Sequence, residues 1–189
     1  MATRSGTTPQ VTATTTLVLL ALVVGSAVAV LLGVYGSVHT PTGESVSTLG
    51  FSSLIDMKVW LASGAAALGV VQVVTALRLY GRLGSGRAPA WVAVVHRTSG
   101  TVAVLVSLPV AYHCLWSLGF ATYDTRVLVH SVVGCAFYGA FVAKLLALKL
   151  PRMPGWALPV FGGLTFTLLV AVWLTSSLWF FTHDGPPSY

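Results

Sequence analysis

The sequence predicts an all-α integral membrane protein of five transmembrane helices, with the N-terminus cytoplasmic and the C-terminus outside. Three observations carry that expectation. Of 189 residues, 56% are hydrophobic and only 7% are charged, with a mean hydropathy of +0.87, a composition foreign to soluble domains. Five apolar runs are each long enough to cross roughly 30 Å of hydrocarbon, which takes about 20 residues. The basic residues, finally, collect on alternate connections, and that bias sets orientation.

The runs fall near 14–36, 54–80, 91–118, 126–149 and 156–181, within one membrane domain spanning 1–189. Ala27-Val28-Ala29 in the first resembles a cleavage site, but the apolar run continues to Val34, so we read an uncleaved span. Breaker-rich connections separate the runs: "HTPTGES", "GRLGSGRAPA", "GFATYD" and "LPRMPG", with "HDGPPSY" as the tail. With the N-terminus inside, Arg4, Arg78, Arg82, Arg87, Arg97, Lys144, Lys149 and Arg152 lie inside and only Lys58 and Arg126 outside. The acids Glu44, Asp56, Asp124 and Asp184 all fall outside. Tyr80, Trp91 and Trp156 mark the inner interface, and Trp60, Trp116 and Trp179 the outer one.

Several classes are set aside by the same residues. A net charge of +6 sits in short loops, with no basic stripe or phosphate-cradling glycine loop, so no nucleic-acid partner is expected. Cys114 and Cys135 stand alone in apolar surroundings and imply packing, not a disulfide framework. No C-x-x-C-H motif is present for covalent haem attachment. Ile55 is the only isoleucine and asparagine is absent. That usage points to a GC-rich bacterial genome, and so to a multi-pass protein of a bacterial plasma membrane, in contact with lipid.

The chemistry lies in histidines. His96, His113 and His130 recur at a spacing of 17 inside apolar sequence, where an imidazole is expensive unless something binds it. Helical rise places His96 and His113 roughly 13 Å either side of the middle of the third span. His130 falls roughly 12 Å toward the outer face on the fourth. His113 and His130 therefore match in depth on different helices, an arrangement that can hold a haem edge-on through two imidazoles. Gly100 and Gly134 follow His96 and His130 by four residues and so share their faces, leaving room for a porphyrin. Gly139 and the kinking Pro109 add to that room. A step of 17 rotates by roughly 100° beyond whole turns, so His96 and His113 do not share one face of a straight helix.

His96 has no histidine partner on the inner side. Lys144, close to the face of His130, has three readings: a partner for haem propionates, an unusual axial ligand, or a snorkelling surface lysine. Arg97 and Ser99 beside His96 suit a quinone or a propionate. His39 and His183 read as interface residues.

The stretches "VVHRTSGTVAVLVSLPVAYHCL" and "RVLVHSVVGCAFYG", set in short spans, resemble the small membrane b-type cytochromes of the cytochrome b-561 kind and their ferric reductase-like and quinol-linked relatives. The resemblance covers roughly residues 54–181 and implies haem b in a four-helix core. His113 and His130 would be ligands of an outer haem, and His96 a candidate at an inner one. "HRTSG" also resembles the opening of the cytochrome b anchor subunit of succinate dehydrogenase, with Ser99 as a quinone-side hydroxyl. Members of that family pass electrons across or along the membrane, so we expect this chain to move them between a membrane quinone and an extracytoplasmic or membrane partner, a redox protein or a larger respiratory complex. No paired carboxylates, nucleophile or general base stand within the spans, so we expect an electron-transfer subunit, not a stand-alone catalyst.

Two other classes stay open. His39, His113, His130 and His183, with Asp124 and Asp184, could bind copper or zinc in an accessory subunit. Alternatively, a haem-free structural subunit of a respiratory complex would use its histidines for helix contacts.

Overall fold

The computed structural model describes residues 8–183, with side chains from Thr14 onward. Six helices follow in order: α1 Thr8–Val38, α2 Leu54–Leu79, α3 Ala90–His113, α4 Thr125–Lys149, α5 Ala157–Trp173 and α6 Trp179–His183. A π turn at Cys114–Leu118 prolongs α3, and a second at Leu174–Leu178 joins α5 to α6. No strand occurs among the described residues. Five stretches are long and apolar enough to cross a membrane: Thr14–Val38, Leu54–Leu79, Ala90–Leu118, Thr125–Lys149 and Ala157–His183. This is the architecture of a multi-pass membrane protein. Arg4 and Asp184, used above for orientation, lie outside the described residues.

Local chemistry sets the helix starts. The Ser53 hydroxyl caps α2 by accepting the Asp56 N–H, and Ser52 Oγ donates to the Asp56 carboxylate at 2.5 Å. Asp124 caps α4 by accepting the Val127 N–H at 2.8 Å. Each cap satisfies a donor that the first helical turn leaves without a partner.

The end that carries the 39–53 segment is called upper here. There the chain must satisfy carbonyls in the last turn of the third span, which have no donor within the helix. Thr42 and Gly43 donate their backbone N–H groups to Trp116 and Ser117, and Ser117 Oγ, almost fully buried, donates to the Glu44 carbonyl at 2.6 Å. Gly119 turns the chain at φ 72°, where a Cβ would lie 2.9 Å from Pro41 Cγ. Phe120 N–H can then reach the Gly36 carbonyl of α1 at 2.7 Å.

α1 packs along α4, α4 along α5, α5 against α2, and α2 along α3. The α1–α4 contact is backbone on backbone. A Cβ on Gly25 would sit 2.5 Å from the Gly139 carbonyl oxygen, and one on Gly139 would collide with that of Gly25. Small residues at both positions let the helices approach as membrane helices commonly do. Gly139 therefore makes room for α1, and the expectation that it makes room for a porphyrin is corrected. At the lower end Ala21, Ala143, Ala147, Ala157 and Phe161 form one buried cluster from α1, α4 and α5.

The α2–α5 seam is stitched by polar groups. Ser177 Oγ, fully buried, donates to the Val59 carbonyl at 3.1 Å, and Trp173 Nε1 donates to Ser63 Oγ at 3.0 Å. Between α3 and α4 the link runs through a long side chain: Tyr138 Oη donates to Ser107 Oγ at 2.9 Å. Helices α2 to α5 thus form a ring whose α3–α4 side is spanned by side chains.

Gly25→Leu should lower the stability of the detergent-purified protein by about 1–3 kcal/mol, the usual effect of overpacking. Gly162→Ala, which enters open space, should leave it unchanged. Thermal unfolding checks both, and equal melting for all three proteins would disprove the close α1–α4 crossing.

Candidate functional site

A neutral imidazole has one N–H and one lone pair, and inside apolar helices each needs a partner. The histidines divide on which nitrogen they commit. His113 Nδ1 lies 2.8 Å from the Pro109 carbonyl, which can only accept, so Nδ1 carries the proton. His113 is 4% exposed, and its Nε2 has no hydrogen-bond partner among the described residues.

The same tautomer is imposed on His96 and His130 by threonines. Thr75 Oγ1 donates its own proton to the Val71 carbonyl at 2.6 Å and stands 2.8 Å from His96 Nδ1. Thr175 Oγ1 donates to the Ala171 carbonyl at 2.8 Å and stands 3.1 Å from His130 Nδ1. With its hydrogen committed, each hydroxyl can only accept, so each Nδ1–H donates. In that tautomer Nε2 is the lone-pair nitrogen of His96, His113 and His130, the state a metal-ligating histidine needs, and the His130 ring also hydrogen-bonds the Cys114 side chain.

His39 is built differently. Its Nε2 bonds the Trp116 carbonyl at 3.2 Å while the ring stacks between Tyr35 and Trp116, clamping α1 to the π turn. His183 is exposed, bonds the Trp179 carbonyl through Nδ1 and stacks on Trp179. Among the described residues no group of three or more His, Cys, Asp or Glu side chains comes together as a metal cluster. The set proposed above for copper or zinc is therefore not assembled; Asp184 lies outside the described residues.

The three core histidines stand apart from one another. No hydrogen bond or ring contact joins His113 to His130 among the described residues. The His130 ring instead neighbours the Cys114 thiol, which also has the Lys58 amine beside it. His96 sits on the α2–α3 seam, where Gln72 Nε2 donates to the His96 carbonyl and, at 2.8 Å, to Ser99 Oγ. Lys144 of α4, half-buried, lies within electrostatic reach of His96.

Neighbouring residues take other places than their spacing suggested. The space at Gly100 is filled by Gln72, whose Oε1 lies 2.9 Å from where a Cβ would stand. Gly100 therefore admits an amide, not a porphyrin edge. Gly134 does face open space, with nothing within 4 Å of a Cβ there. Ser99 Oγ is buried, donates to the Val95 carbonyl at 2.6 Å and accepts from Gln72, so it has no free donor for a quinone. Arg97 is exposed.

Sequence reasoning missed Thr75, Thr175, Gln72 and Tyr138. Gln72 carried a signal, as the one side-chain amide within the five spans. The threonines carried none, because hydroxyls back-bonded along a helix are ordinary in apolar spans.

A family model described as a family of unknown function (DUF6529) matches residues 17–188. The chain belongs to that family. No curated protein and no solved structure matches this DUF6529 chain.

Gln72→Leu removes both side-chain donors that Gln72 of α2 gives to α3. It should destabilise this DUF6529 protein by about 1–3 kcal/mol, the penalty for orphaning buried acceptors. Gly134→Ala, entering open space, should melt with the parent. A Gln72→Leu protein that also melts with the parent would show that the seam does not depend on the amide.

Proposed function

We propose that this protein is a membrane cytochrome that binds at least one non-covalent haem b and carries electrons between a membrane quinone and an extracytoplasmic or membrane partner. The observation that carries the reading is the Nε2 of His113, buried, without a partner, and fixed as a lone pair by the Pro109 carbonyl. An orphaned acceptor in an apolar interior costs about 1–3 kcal/mol, and ligation of a haem iron would remove that penalty. His130 and His96 present the same nitrogen and extend the donor set.

The donor chemistry favours haem over a bare ion. Copper or zinc needs three or four protein ligands in one place, and no such group is assembled among the described residues. A haem asks the protein for only one or two axial nitrogens, because the porphyrin supplies the others. When bound, it would supply one-electron chemistry. The chain's part is to hold the ring nitrogens in one tautomer, to exclude water with apolar helices, and to leave open space at Gly134.

In this reading α2 to α5 form the haem-binding core, the N-terminus is cytoplasmic and the C-terminus outside, in a bacterial plasma membrane. The alternation of basic connections supports that orientation. His113 and His130, on neighbouring upper segments, hold the first haem. His96 with Lys144 serves the opposite side, where a second haem or a quinone would sit. The partner is a redox protein or a larger respiratory complex.

The purified full chain should show the reduced-minus-oxidised α band of haem b. His113→Ala and His130→Ala should each lose that haem, whereas His39→Ala and His183→Ala should keep it. A protein without the band overturns the proposal, and full haem content in both core variants overturns the ligand assignment. Haem per polypeptide after extraction decides whether His96 serves a second centre.

A further inference from the structure

The upper part of α5 contains a grip that the ligand assignment alone does not require. We infer that Thr175 is a positioning residue for His130, presented by the second π turn and locked by Arg126, and that it keeps His130 Nε2 as the ligand nitrogen. The inference deepens the proposed haem site and rests on that reading for its redox consequence, though not for its geometry.

Arg126 and His130 are four residues apart on α4 and so share one face of that helix. Both reach the same residue of the facing chain. Arg126 Nη1 donates to the Thr175 backbone carbonyl at 2.8 Å, and His130 Nδ1 donates to Thr175 Oγ1 at 3.1 Å. In an α-helix the Thr175 carbonyl would accept the N–H of Trp179. Here the Trp179 N–H bonds the Ser176 carbonyl, and the carbonyl of Thr175, within the second π turn, accepts from Arg126. The threonine that α4 holds thus lies in a π turn, a feature frequent at functional sites.

The arginine is itself fixed. Its guanidinium carbon lies 3.9 Å from the centroid of the Trp179 ring, and Nη2 lies 3.8 Å from the Asp124 carboxylate. Thr175 Oγ1 has no proton to offer, since it donates to the carbonyl of Ala171. The imidazole can then only donate through Nδ1. A hydrogen bond accepted from Nδ1–H also makes Nε2 more basic. With a haem iron bound there, that would favour the ferric over the ferrous state.

The test uses the full chain with nitrogen-15-labelled histidine, whose ring-nitrogen resonances report the tautomer directly. In the parent, His130 should be protonated at Nδ1. Thr175→Val, which keeps the shape and removes the acceptor, should shift part of the His130 population to the Nε2–H tautomer, and Thr175→Ser should restore the parent spectrum. His96, held by Thr75, should be unchanged in both. Arg126→Gln, which loosens the grip without touching the hydroxyl, should broaden or shift His130 alone and serves if Thr175→Val does not fold. In the haem-loaded protein Thr175→Val should raise the midpoint potential of one centre and Thr175→Ser should return it. A parent-like His130 tautomer in Thr175→Val, no His130 change in Arg126→Gln, or a serine variant as altered as the valine one, overturns the inference. If the tautomers behave as stated but no haem band is found, the positioning role stands and the cytochrome reading falls.

Discussion

An imidazole surrounded by hydrocarbon has two nitrogens to satisfy and no water to satisfy them with, and the polar interior of this bundle is arranged around that constraint. Each core histidine meets half of it inside the fold. The acceptors differ in origin: a backbone carbonyl one turn back for His113, and threonine hydroxyls on facing segments for His96 and His130. In all three the proton is directed to Nδ1, and the remaining lone pair is the same atom. His183, bonded to the Trp179 carbonyl one turn back, commits the same nitrogen. His39, which does serve a helix contact, commits the other nitrogen.

The two π turns follow from the same requirement. Each lies at the upper end of its helix, and each holds carbonyls that accept donors from another segment. After α3, those of Trp116 and Ser117 accept the N–H groups of the 42–43 segment, folding that connection over the helix end. After α5, the carbonyl of Thr175 accepts Arg126. In lipid a freed carbonyl without a donor costs several kcal/mol, so the irregular backbone persists only because these donors are supplied. The histidines at this level are thus joined to the most irregular and most tightly capped part of the chain.

The five spans were legible because hydrophobic length is a one-dimensional property and the connections are rich in breakers. Height along the bundle was legible for the same reason: Cys114, next to His113, does stand beside His130. Rotation was not. Pro109 and the π turn that follows His113 change the helical phase there, so spacing alone could not show that Cys114, not His113, is the residue neighbouring His130. Glycines were ambiguous for a related reason: a missing Cβ says that something approaches, not what. At Gly139 it is the backbone of α1, at Gly100 the side chain of Gln72, and only Gly134 leaves space.

The asymmetry between the two levels now has a physical form. At the lower level His96 is fixed by a network of its own, with Thr75 on its ring and Gln72 on its backbone, but the nearest basic neighbour across the ring of helices is Lys144, an amine. At the upper level two imidazoles share the end of the bundle with Lys58 and Cys114. An ammonium group held in apolar surroundings without a carboxylate is costly, and the acids among the described residues, Glu44, Asp56 and Asp124, all lie at the upper end. An anionic group carried by a ligand, such as a haem propionate, would offset that charge.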